Sequence, residues 1–334
     1  MTIREELEAR EEQTLSPYAC LSSRSRGRLR PAEPCPMRTC FQRDIDRIVH
    51  CKSFRRLKHK TQVFLSPEGD HYSTRMTHTL EVSRVARTIA RGLGLNEDLT
   101  EAAALGHDLG HTPFGHAGER ILNEIMPGGF RHNEHSLRVV DRLENNGDGL
   151  NLTYEVRRGI QCHSGPQTAE TLEGRIVRLS DMIAYLSADI DDALRGGVLY
   201  PLDIPADLVQ LVGSSHAQRL NTLIGDVIEN SRGKNDIIQS PEMGEAMLRL
   251  NEFMFRAVYL NPVAKGEEGK AQKLISSLFE YYMKHPDKIS DEYVEIWQTE
   301  GLERAVCDYI AGMTDAYAVE TYQDLFIPKS WAVK

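Results

Sequence analysis

Residues 107–119 read HDLGHTPFGHAGE, so three histidines and two carboxylates fall within thirteen positions. The run before them is rich in alanine and favours a helix, which Gly110 would end because glycine adopts the left-handed cap conformation at no steric cost. Pro113 suits the first turn of a second helix. The stretch therefore predicts a break between two helices where acidic and imidazole side chains crowd together, an arrangement that indicates a ligand site.

The spacing within this stretch divides its polar residues into two groups. His107 and Asp108 are adjacent, so both reach one ion only where the helix ends or loosens, because neighbouring helical residues point about 100° apart. His116 and Glu119 are three residues apart and share a helix face, where the carboxylate can orient and charge the imidazole. The alternative interpretation is a polar loop with solvated histidines.

The composition is ordinary for a globular protein, but the charge is unevenly distributed. The 334 residues are 40% hydrophobic and 27% charged, and the apolar runs are too short to span a bilayer. The net charge is −9, yet residues 21–60 carry nine Arg and three Lys against three acids, a local excess of +9. A basic segment of this kind indicates a polyanionic partner, either a nucleotide phosphate tail or nucleic acid. A solvated or oligomer-facing arm is the alternative.

Cysteine usage and the first residues of the chain favour a cytoplasmic protein. The six cysteines are scattered and include no C-x-x-C pair, which is atypical of a zinc knuckle or a disulfide framework. The acidic, polar opening residues lack the pattern of a secretory signal. We therefore expect reduced thiols and no membrane association.

Hydrophobic periodicity predicts an all-α protein with one small β-hairpin. Residues 1–40 form an Arg-rich arm, irregular beyond its first helix. Residues 41–230 form a helical core, and residues 231–334 form a helical C-terminal part packed on it. The hairpin is predicted over residues 62–74, around the turn sequence SPEGD. Helices are predicted over residues 1–13, 41–57, 76–93, 97–109, 114–126, 132–146, 152–163, 170–195, 204–212, 215–231, 241–260, 267–284, 291–298 and 300–325.

Two residues outside the first stretch extend its polar set. His78 lies near the start of a predicted helix, and Asp181 lies in a long helix among apolar neighbours, where a carboxylate without a partner is costly. A cation bound by His78, His107, Asp108 and Asp181 would satisfy that carboxylate and leave coordination positions open for water and substrate. This donor set suits Mn, Fe, Mg, Ni or Zn, and geometry alone does not choose between these metals.

Four motifs in order resemble one enzyme family. Residues 75–82 (RMTHTLEV), 107–119, 128–138 (GGFRHNEHSLR) and 181–194 (DMIAYLSADIDDAL) are similar to the dGTPase-like deoxynucleoside triphosphate triphosphohydrolases, a branch of the HD-domain metal-dependent phosphohydrolases. The resemblance spans residues 41–199 and, more loosely, the C-terminal helices. It implies cleavage of dGTP, or of a broader set of dNTPs, between the α-phosphorus and the 5′-oxygen. It also implies a homo-oligomer, and in some relatives regulation by a nucleotide or single-stranded DNA.

The resemblance implies a role for each position of this sequence that matches a family motif. The metal ligands that it implies are His78, His107, Asp108 and Asp181. The catalytic residues that it implies are His116, Glu119 as the orienting carboxylate, and His132 near the α-phosphate. The substrate-binding residues that it implies are Arg75, Gln62, Arg56, Tyr185 and Asp189. His135 stands where relatives often carry Gln, and Ala188 where some carry His, and both departures bear on substrate preference.

Physical chemistry agrees with this assignment. A triphosphate carries about four negative charges near neutral pH, so attack at phosphorus needs a cation and basic side chains that hold the phosphates. The departing 5′-alkoxide needs a proton, which His116 held by Glu119 is placed to supply, an effect of roughly 10²–10⁴ in rate. The sequence leaves open which histidine donates and which accepts a proton.

Two other function classes compete with this interpretation. One is another HD phosphohydrolase, such as a 5′-nucleotidase or a guanosine tetraphosphate hydrolase. The other is a nucleotide- or nucleic-acid-sensing protein with a degenerate site, which the Arg-rich arm suggests and the intact ligand set argues against. Two histidines stay outside the predicted site: His111 either supports it or caps the helix end, and His163 suits a structural role at a helix C-terminus.

Overall fold

The computed structural model describes residues 1–62, 73–259 and 267–329. These residues form sixteen α-helices and, apart from two isolated bridges, no β-structure, which confirms the all-α prediction. The predicted hairpin lies almost wholly outside the described residues, and an antiparallel bridge between Thr61 and Thr74 joins its flanks. Across the described ranges, we find no helix with the length and apolar character needed to cross a membrane.

The α-helices are numbered in chain order. They are α1 (Ile3–Thr14), α2 (Cys40–His50), α3 (Lys52–Arg56), α4 (Arg75–Leu93), α5 (Glu97–Gly106), α6 (Gly115–Ile125), α7 (His132–Arg138), α8 (Tyr154–Cys162), α9 (Leu172–Arg195), α10 (Ala206–Val212), α11 (His216–Ser231), α12 (Pro241–Met254), α13 (Glu268–Lys284), α14 (Val294–Glu300), α15 (Leu302–Ala311) and α16 (Asp315–Phe326). Single π-helical turns extend α7 over Val139–Leu143 and α12 over Phe255–Tyr259.

Helices α4, α5, α8 and α9 form the centre of the fold. Helix α4 lies along α9, and α5 packs against both as well as against α8. Helix α9 buries Ile176, Ile183 and Ile190 on its core face, and each such side chain contributes about 1.5–3 kcal/mol through removal from water. At the start of α4, Thr74 accepts a hydrogen bond from the backbone N–H of Thr77 at 3.3 Å, which caps the helix that carries Arg75 and His78.

The helices that follow α9 belong to two hydrophobic clusters. Helices α11 and α12 contribute to the cluster around α4 and α9. Helices α13, α15 and α16 form a second cluster together with α6. Helix α6, which begins one residue before His116, therefore rests on the C-terminal part of the chain rather than on α4 or α9.

Several predicted helix boundaries differ from those in the structure. The predicted helix over 41–57 is interrupted at Cys51, whose backbone is extended. The predicted helix over 300–325 divides into α15 and α16, because Thr314 adopts an extended conformation and caps α16. The helix before the HDLGHTPFGHAGE stretch ends at Gly106 rather than at residue 109.

The explanation expected for Gly110 was wrong. This glycine is not among the residues with positive φ, so a left-handed cap does not require it. A Cβ atom at this position would instead lie 2.1 Å from the backbone nitrogen of Ser136 and 2.7 Å from the carbonyl oxygen of His132. Gly110 is needed because the turn after α5 packs directly on the backbone of α7.

Between α1 and α2, the N-terminal arm contains no α-helix, and it is tied to the core. The Arg28 guanidinium pairs with the buried carboxylate of Asp44 and donates to the carbonyl of Asn151 at 2.7 Å. Arg47 donates to the carbonyl of Leu150 at 2.8 Å. Arg38 pairs with Asp46 at the surface. Much of the positive charge of the arm is therefore used within the chain.

Candidate active site

Several elements converge on one open cleft. The start of α4 contributes Arg75 and His78, and the turn after α5 contributes Asp108 and His111. The cleft is further lined from α6, from the start of α7, from α9, and from α12 with its π-helical turn. Its volume of about 460 Å³ falls in the range of small-molecule sites. The predicted residues that line it are Gln62, Arg75, His78, Asp108, His116, His132, Asp181, Tyr185 and Asp189.

The four predicted metal ligands lie together at the base of the cleft. Ligand atoms of His78, His107 and Asp108 all lie within 4.8 Å of one another. Asp181 Oδ1 is 3.0 Å from His78 Nε2 and 3.9 Å from His107 Nε2. Two imidazoles and two carboxylates at these separations match the nitrogen and oxygen donors that divalent transition metals take in proteins.

The orientation of His107 fits a bound cation. Its Nδ1 lies 2.6 Å from the carbonyl oxygen of Ala104. A carbonyl only accepts, so Nδ1 donates and Nε2 is the ring nitrogen left to bind an ion. That Nε2 is buried without a hydrogen-bond partner among the described residues and lies 3.4 Å from Asp108 Oδ1. A bound cation would satisfy this buried nitrogen and the carboxylate beside it.

The electrostatics of this group keep its carboxylates ionised. Burial alone would raise the pKa of Asp108, but the neighbouring His107, His111 and Arg75 lower it well below its usual value. Burial is likewise outweighed at Asp181, where the hydrogen bond with His78 and the nearby His107 lower the pKa to about 2. Arg75 Nη1 donates to Asp108 Oδ2 at 2.8 Å, so one oxygen of this carboxylate is held by the guanidinium.

A second polar group is built on Glu119 and lies beside the first, since side-chain donor atoms of Asp108, His111 and His132 lie within 4.8 Å of one another. Glu119 Oε2 is 3.3 Å from His116 Nδ1, and Glu119 Oε1 is 2.9 Å from His132 Nδ1. Burial opposes ionisation of Glu119, yet the hydrogen bonds with His116 and His132 lower its pKa strongly. Burial would lower the pKa of His132, but Glu119 raises it. The side chain of His116 is 70% exposed and lines the cleft, outside the clustered donors His78, His107 and Asp108.

His163, which the sequence analysis interpreted as structural, belongs to this second group. Its Nδ1 lies 2.7 Å from the carbonyl oxygen of Ile160, so Nδ1 donates and Nε2 is left as an acceptor. That Nε2 is 3.1 Å from Nε2 of His132. His132 therefore donates from both ring nitrogens, to Glu119 and to His163, and is held as an imidazolium. Burial and the nearby His107 and His132 lower the pKa of His163 to about 3, which keeps it neutral.

His111 connects the two groups. Its ring stacks on His132 with centroids 4.2 Å apart, and its Nε2 lies 3.5 Å from Asp108 Oδ1. Burial, followed by the positive charges of Arg75 and His132, lowers its pKa well below the usual value. Of the two roles that the sequence left open, the structure places His111 inside the site. The position within HDLGHTPFGHAGE was the only signal for it.

The remaining predicted substrate residues line the far wall of the cleft, with one exception. The Tyr185 hydroxyl donates to Asn251 Oδ1 at 2.8 Å, and Asp189 accepts from the Tyr259 hydroxyl. Burial raises the pKa of Asp189 to about 7, against that hydrogen bond. Gln62 faces the cleft with its side-chain oxygen buried and without a partner among the described residues. Asn251 and Tyr259 come from residues 231–334, where the sequence offered no local pattern to single them out.

Arg56 is the exception. It does not line the cleft, and its Nη1 donates to the carbonyl oxygen of Gly312 at 3.2 Å. The guanidinium lies in a separate narrow crevice that Lys60 and His135 also line. The structure therefore gives no support to a nucleotide contact from Arg56, because the short helix α3 turns this side chain toward α15.

Comparison with known proteins defines the class of protein to which the chain belongs. Residues 75–186 match the HD domain, and residues 237–324 match the phosphohydrolase-associated domain. The HD match begins at Arg75 and includes all four predicted metal ligands.

Individual relatives narrow the class to a family. A deoxyguanosinetriphosphate triphosphohydrolase-like protein of Caldanaerobacter subterraneus subsp. tengcongensis is 56% identical, with 99% of this chain and 98% of the relative covered. One of the same description from Desulfatibacillum aliphaticivorans is 52% identical over 98% of this chain and 99% of the relative. A crystal structure of a hypothetical protein from Aquifex aeolicus is 20% identical, with a TM-score of 0.48, and covers 86% of this chain and 68% of that one. The chain belongs to the deoxyguanosinetriphosphate triphosphohydrolase-like family.

Proposed function

We propose that this protein hydrolyses deoxynucleoside triphosphates, dGTP or a broader set, to a deoxynucleoside and inorganic triphosphate. The observation that carries the proposal is the arrangement of two adjacent polar groups in one cleft, which His111 connects. A buried set of imidazole and carboxylate donors is accompanied by an exposed histidine whose partner is a carboxylate, Glu119. Membership of a family whose relatives are named for dGTP triphosphohydrolysis supports the same reaction.

The metal group is proposed to comprise His78, His107, Asp108 and Asp181. A bound divalent cation would neutralise charge on the phosphoryl oxygens and lower the pKa of a water molecule toward neutrality. Which of Mn, Mg, Fe, Ni or Zn is the native ion is a matter for elemental analysis. Hydrogen bonds from the chain, such as that of His107 Nδ1 to Ala104, orient the ligands before any ion binds.

The substrate is proposed to lie along the cleft with its phosphates near Arg75 and its sugar near Gln62, Tyr185 and Asp189. Arg75 is 3% exposed, and a guanidinium in such a water-poor setting interacts strongly with phosphate oxygens. The partnerless side-chain oxygen of Gln62 can accept a hydrogen bond from a ligand hydroxyl.

The proton for the departing 5′-oxygen is proposed to come from His116. Glu119 orients the His116 imidazole through Nδ1, so Nε2 is free to donate into the cleft. Glu119 also holds His132, which its two hydrogen bonds keep as an imidazolium. His132 would stabilise negative charge near the α-phosphate, which is an electrostatic role rather than a proton transfer.

Other predictions about this protein are retained as proposals. We propose a homo-oligomer, supported by large exposed apolar side chains such as Leu202, which is 98% exposed, and Tyr200, which is 66% exposed. We likewise propose that single-stranded DNA or a dNTP activates the protein and that the protein is cytoplasmic. We also propose domain boundaries that divide the chain into residues 1–40, 41–230 and 231–334.

Chromatography of the products formed from each dNTP with Mn²⁺ or Mg²⁺ tests the proposed reaction. The expected products are deoxynucleoside and inorganic triphosphate in equal amounts. Release of a single phosphate would indicate a 5′-nucleotidase, and pyrophosphate release from guanosine tetraphosphate would indicate the other HD phosphohydrolase. Nucleotide binding without any product would favour a sensor.

A further inference from the structure

A single carboxylate of the C-terminal part holds two segments of the cleft. Asp315 is the first residue of α16 and is 5% exposed. Its Oδ1 accepts a hydrogen bond from the backbone N–H of Phe114 at 2.9 Å. Its Oδ2 accepts from the backbone N–H of Thr61 at 2.9 Å and from the Thr61 hydroxyl. The Asp315 carboxylate therefore joins two segments that are far apart in sequence.

The Thr61 side of this contact leads to the substrate and metal residues. The Thr61 carbonyl accepts from Arg75 Nε at 3.2 Å, and Arg75 Nη1 in turn donates to Asp108 Oδ2 at 2.8 Å. The next residue, Gln62, lines the cleft. A displacement of Thr61 would therefore move Gln62 and release one restraint on the Arg75 guanidinium.

The Phe114 side leads to the proposed general acid. Phe114 has φ +61° and is the N-cap of α6, the helix that carries His116. A non-glycine residue in the left-handed region is strained and persists only where its surroundings hold it. The hydrogen bond from its N–H to Asp315 is such a restraint, because it fixes the peptide two residues before His116.

Lys60 adds a second tie between the same two parts of the chain. Its ammonium is 3% exposed, and it donates to the carbonyl oxygens of His111 and Ala311, the latter at 2.9 Å. Residues 60–61 and residues 311–315 thus meet outside the lining of the cleft. Neither Lys60 nor Asp315 lines the cleft itself, so neither touches the substrate.

We propose that Asp315 is a positioning residue that fixes His116 and Gln62 relative to the metal ligands. The C-terminal helices thereby contribute to the geometry of the active site. The proposal rests on the proposed function, because it concerns the geometry of that reaction. A carboxylate suits the position since both of its oxygens accept, and donors approach it from two sides.

The variant Asp315→Asn tests this proposal with little change in shape. An amide has one accepting oxygen, so its NH₂ group must face the N–H of either Thr61 or Phe114, and that segment shifts. We expect kcat to fall by about 10²-fold, the effect of a misplacement near 1 Å. The value of KM is expected to rise much less, because His116 acts mainly in the transition state. Metal content is expected to equal that of the wild type.

Asp308→Asn is the matched control. Asp308 is also fully buried in the C-terminal part, but it pairs with Arg138, at 2.6 Å from Nη2, and does not touch the cleft. This variant is expected to lose stability and to keep the wild-type kcat once folded. If Asp315→Asn and Asp308→Asn show the same kcat, Asp315 has only a structural role and the proposal fails.

Thr61→Val provides a second test that keeps the carboxylate intact. It removes the hydroxyl donor and leaves the backbone N–H bonded to Asp315. The variant therefore tests the positioning role of Asp315 even if Asp315→Asn does not fold. We expect a lower kcat and faster hydrogen exchange of the Thr61 and Phe114 amides. A Thr61→Val enzyme with unchanged kcat and unchanged exchange overturns the proposal. A wild-type enzyme that releases no triphosphate from any dNTP instead overturns the proposed function.

Discussion

The cleft and the N-terminal arm are both densely charged, and they differ in how their polar groups are satisfied. In the arm, Arg28 is bonded to Asp44 and to backbone carbonyls, and on the adjoining helix α2 Arg47 donates to the carbonyls of Leu150 and Asn151. In the cleft, Nε2 of His107 and the side-chain oxygen of Gln62 are buried without partners among the described residues. Charge density by itself therefore did not separate a binding site from a structural contact.

The largest effect is expected from removal of a metal ligand. Asp108→Ala or Asp181→Ala should abolish turnover and metal retention while the protein stays helical. Each substitution removes a carboxylate whose negative charge helps to hold the ion. Elemental analysis, circular dichroism and product chromatography check this outcome. Retention of a full complement of metal by both variants would show that the cluster is not the metal site.

The next largest effect is expected at His116. His116→Ala should keep its metal and its affinity for dNTP but lose roughly 10²–10⁴ in kcat, since a general acid acts in the transition state. Steady-state kinetics and elemental analysis measure both quantities. Near-normal turnover, or a loss of metal, would refute the assignment.

Glu119→Gln is expected to cost less activity than His116→Ala. Glu119 raises the pKa of His132, so its neutralisation should lower that pKa. The limb of the pH–rate profile that reports the loss of the protonated imidazole should accordingly move to lower pH. An unchanged profile would indicate that Glu119 does not control the ionisation that matters for the rate.

In the arm, the corresponding test concerns stability rather than activity. Asp44→Ala leaves the Arg28 guanidinium, whose side chain is 8% exposed, without its counter-ion and should destabilise the fold by about 3–5 kcal/mol. Asp46→Ala, on the same helix but paired with Arg38 at the surface, should cost about 0–1 kcal/mol. Urea denaturation measures both. Equal losses would mean that burial of the pair is unimportant.

The smallest effect is expected for nucleic acid. Because Arg28, Arg38 and Arg47 are already bonded within the chain, single-stranded DNA should bind to residues 21–60 weakly and with an affinity that falls as salt is raised. A fluorescence titration at increasing ionic strength checks this. No binding at low salt would remove nucleic acid from the possible partners, and tight salt-resistant binding would show that the arm detaches from the core.

The sequence determined the helical character of the chain and most of the proposed site. Helical periodicity depends on neighbours a few residues apart, so the helices of the centre were predicted within a few positions. His78, His107, Asp108 and Asp181 could be singled out because each stands in a local motif, and the i, i+3 spacing of His116 and Glu119 follows from helix geometry alone. These features require no knowledge of how distant segments meet.

Only the tertiary structure decided which distant groups complete the site and which stay outside it. His163 joins the group around Glu119 because α8 ends beside the start of α7, and Arg56 stays outside the cleft because α3 faces α15. Gly110 is required by the close approach of α7, a reason that its neighbours in sequence do not reveal. Asp315 meets Thr61 across 254 positions of the chain. Contacts of this kind depend on the packing of whole helices, and packing is a property of the entire fold rather than of any local pattern.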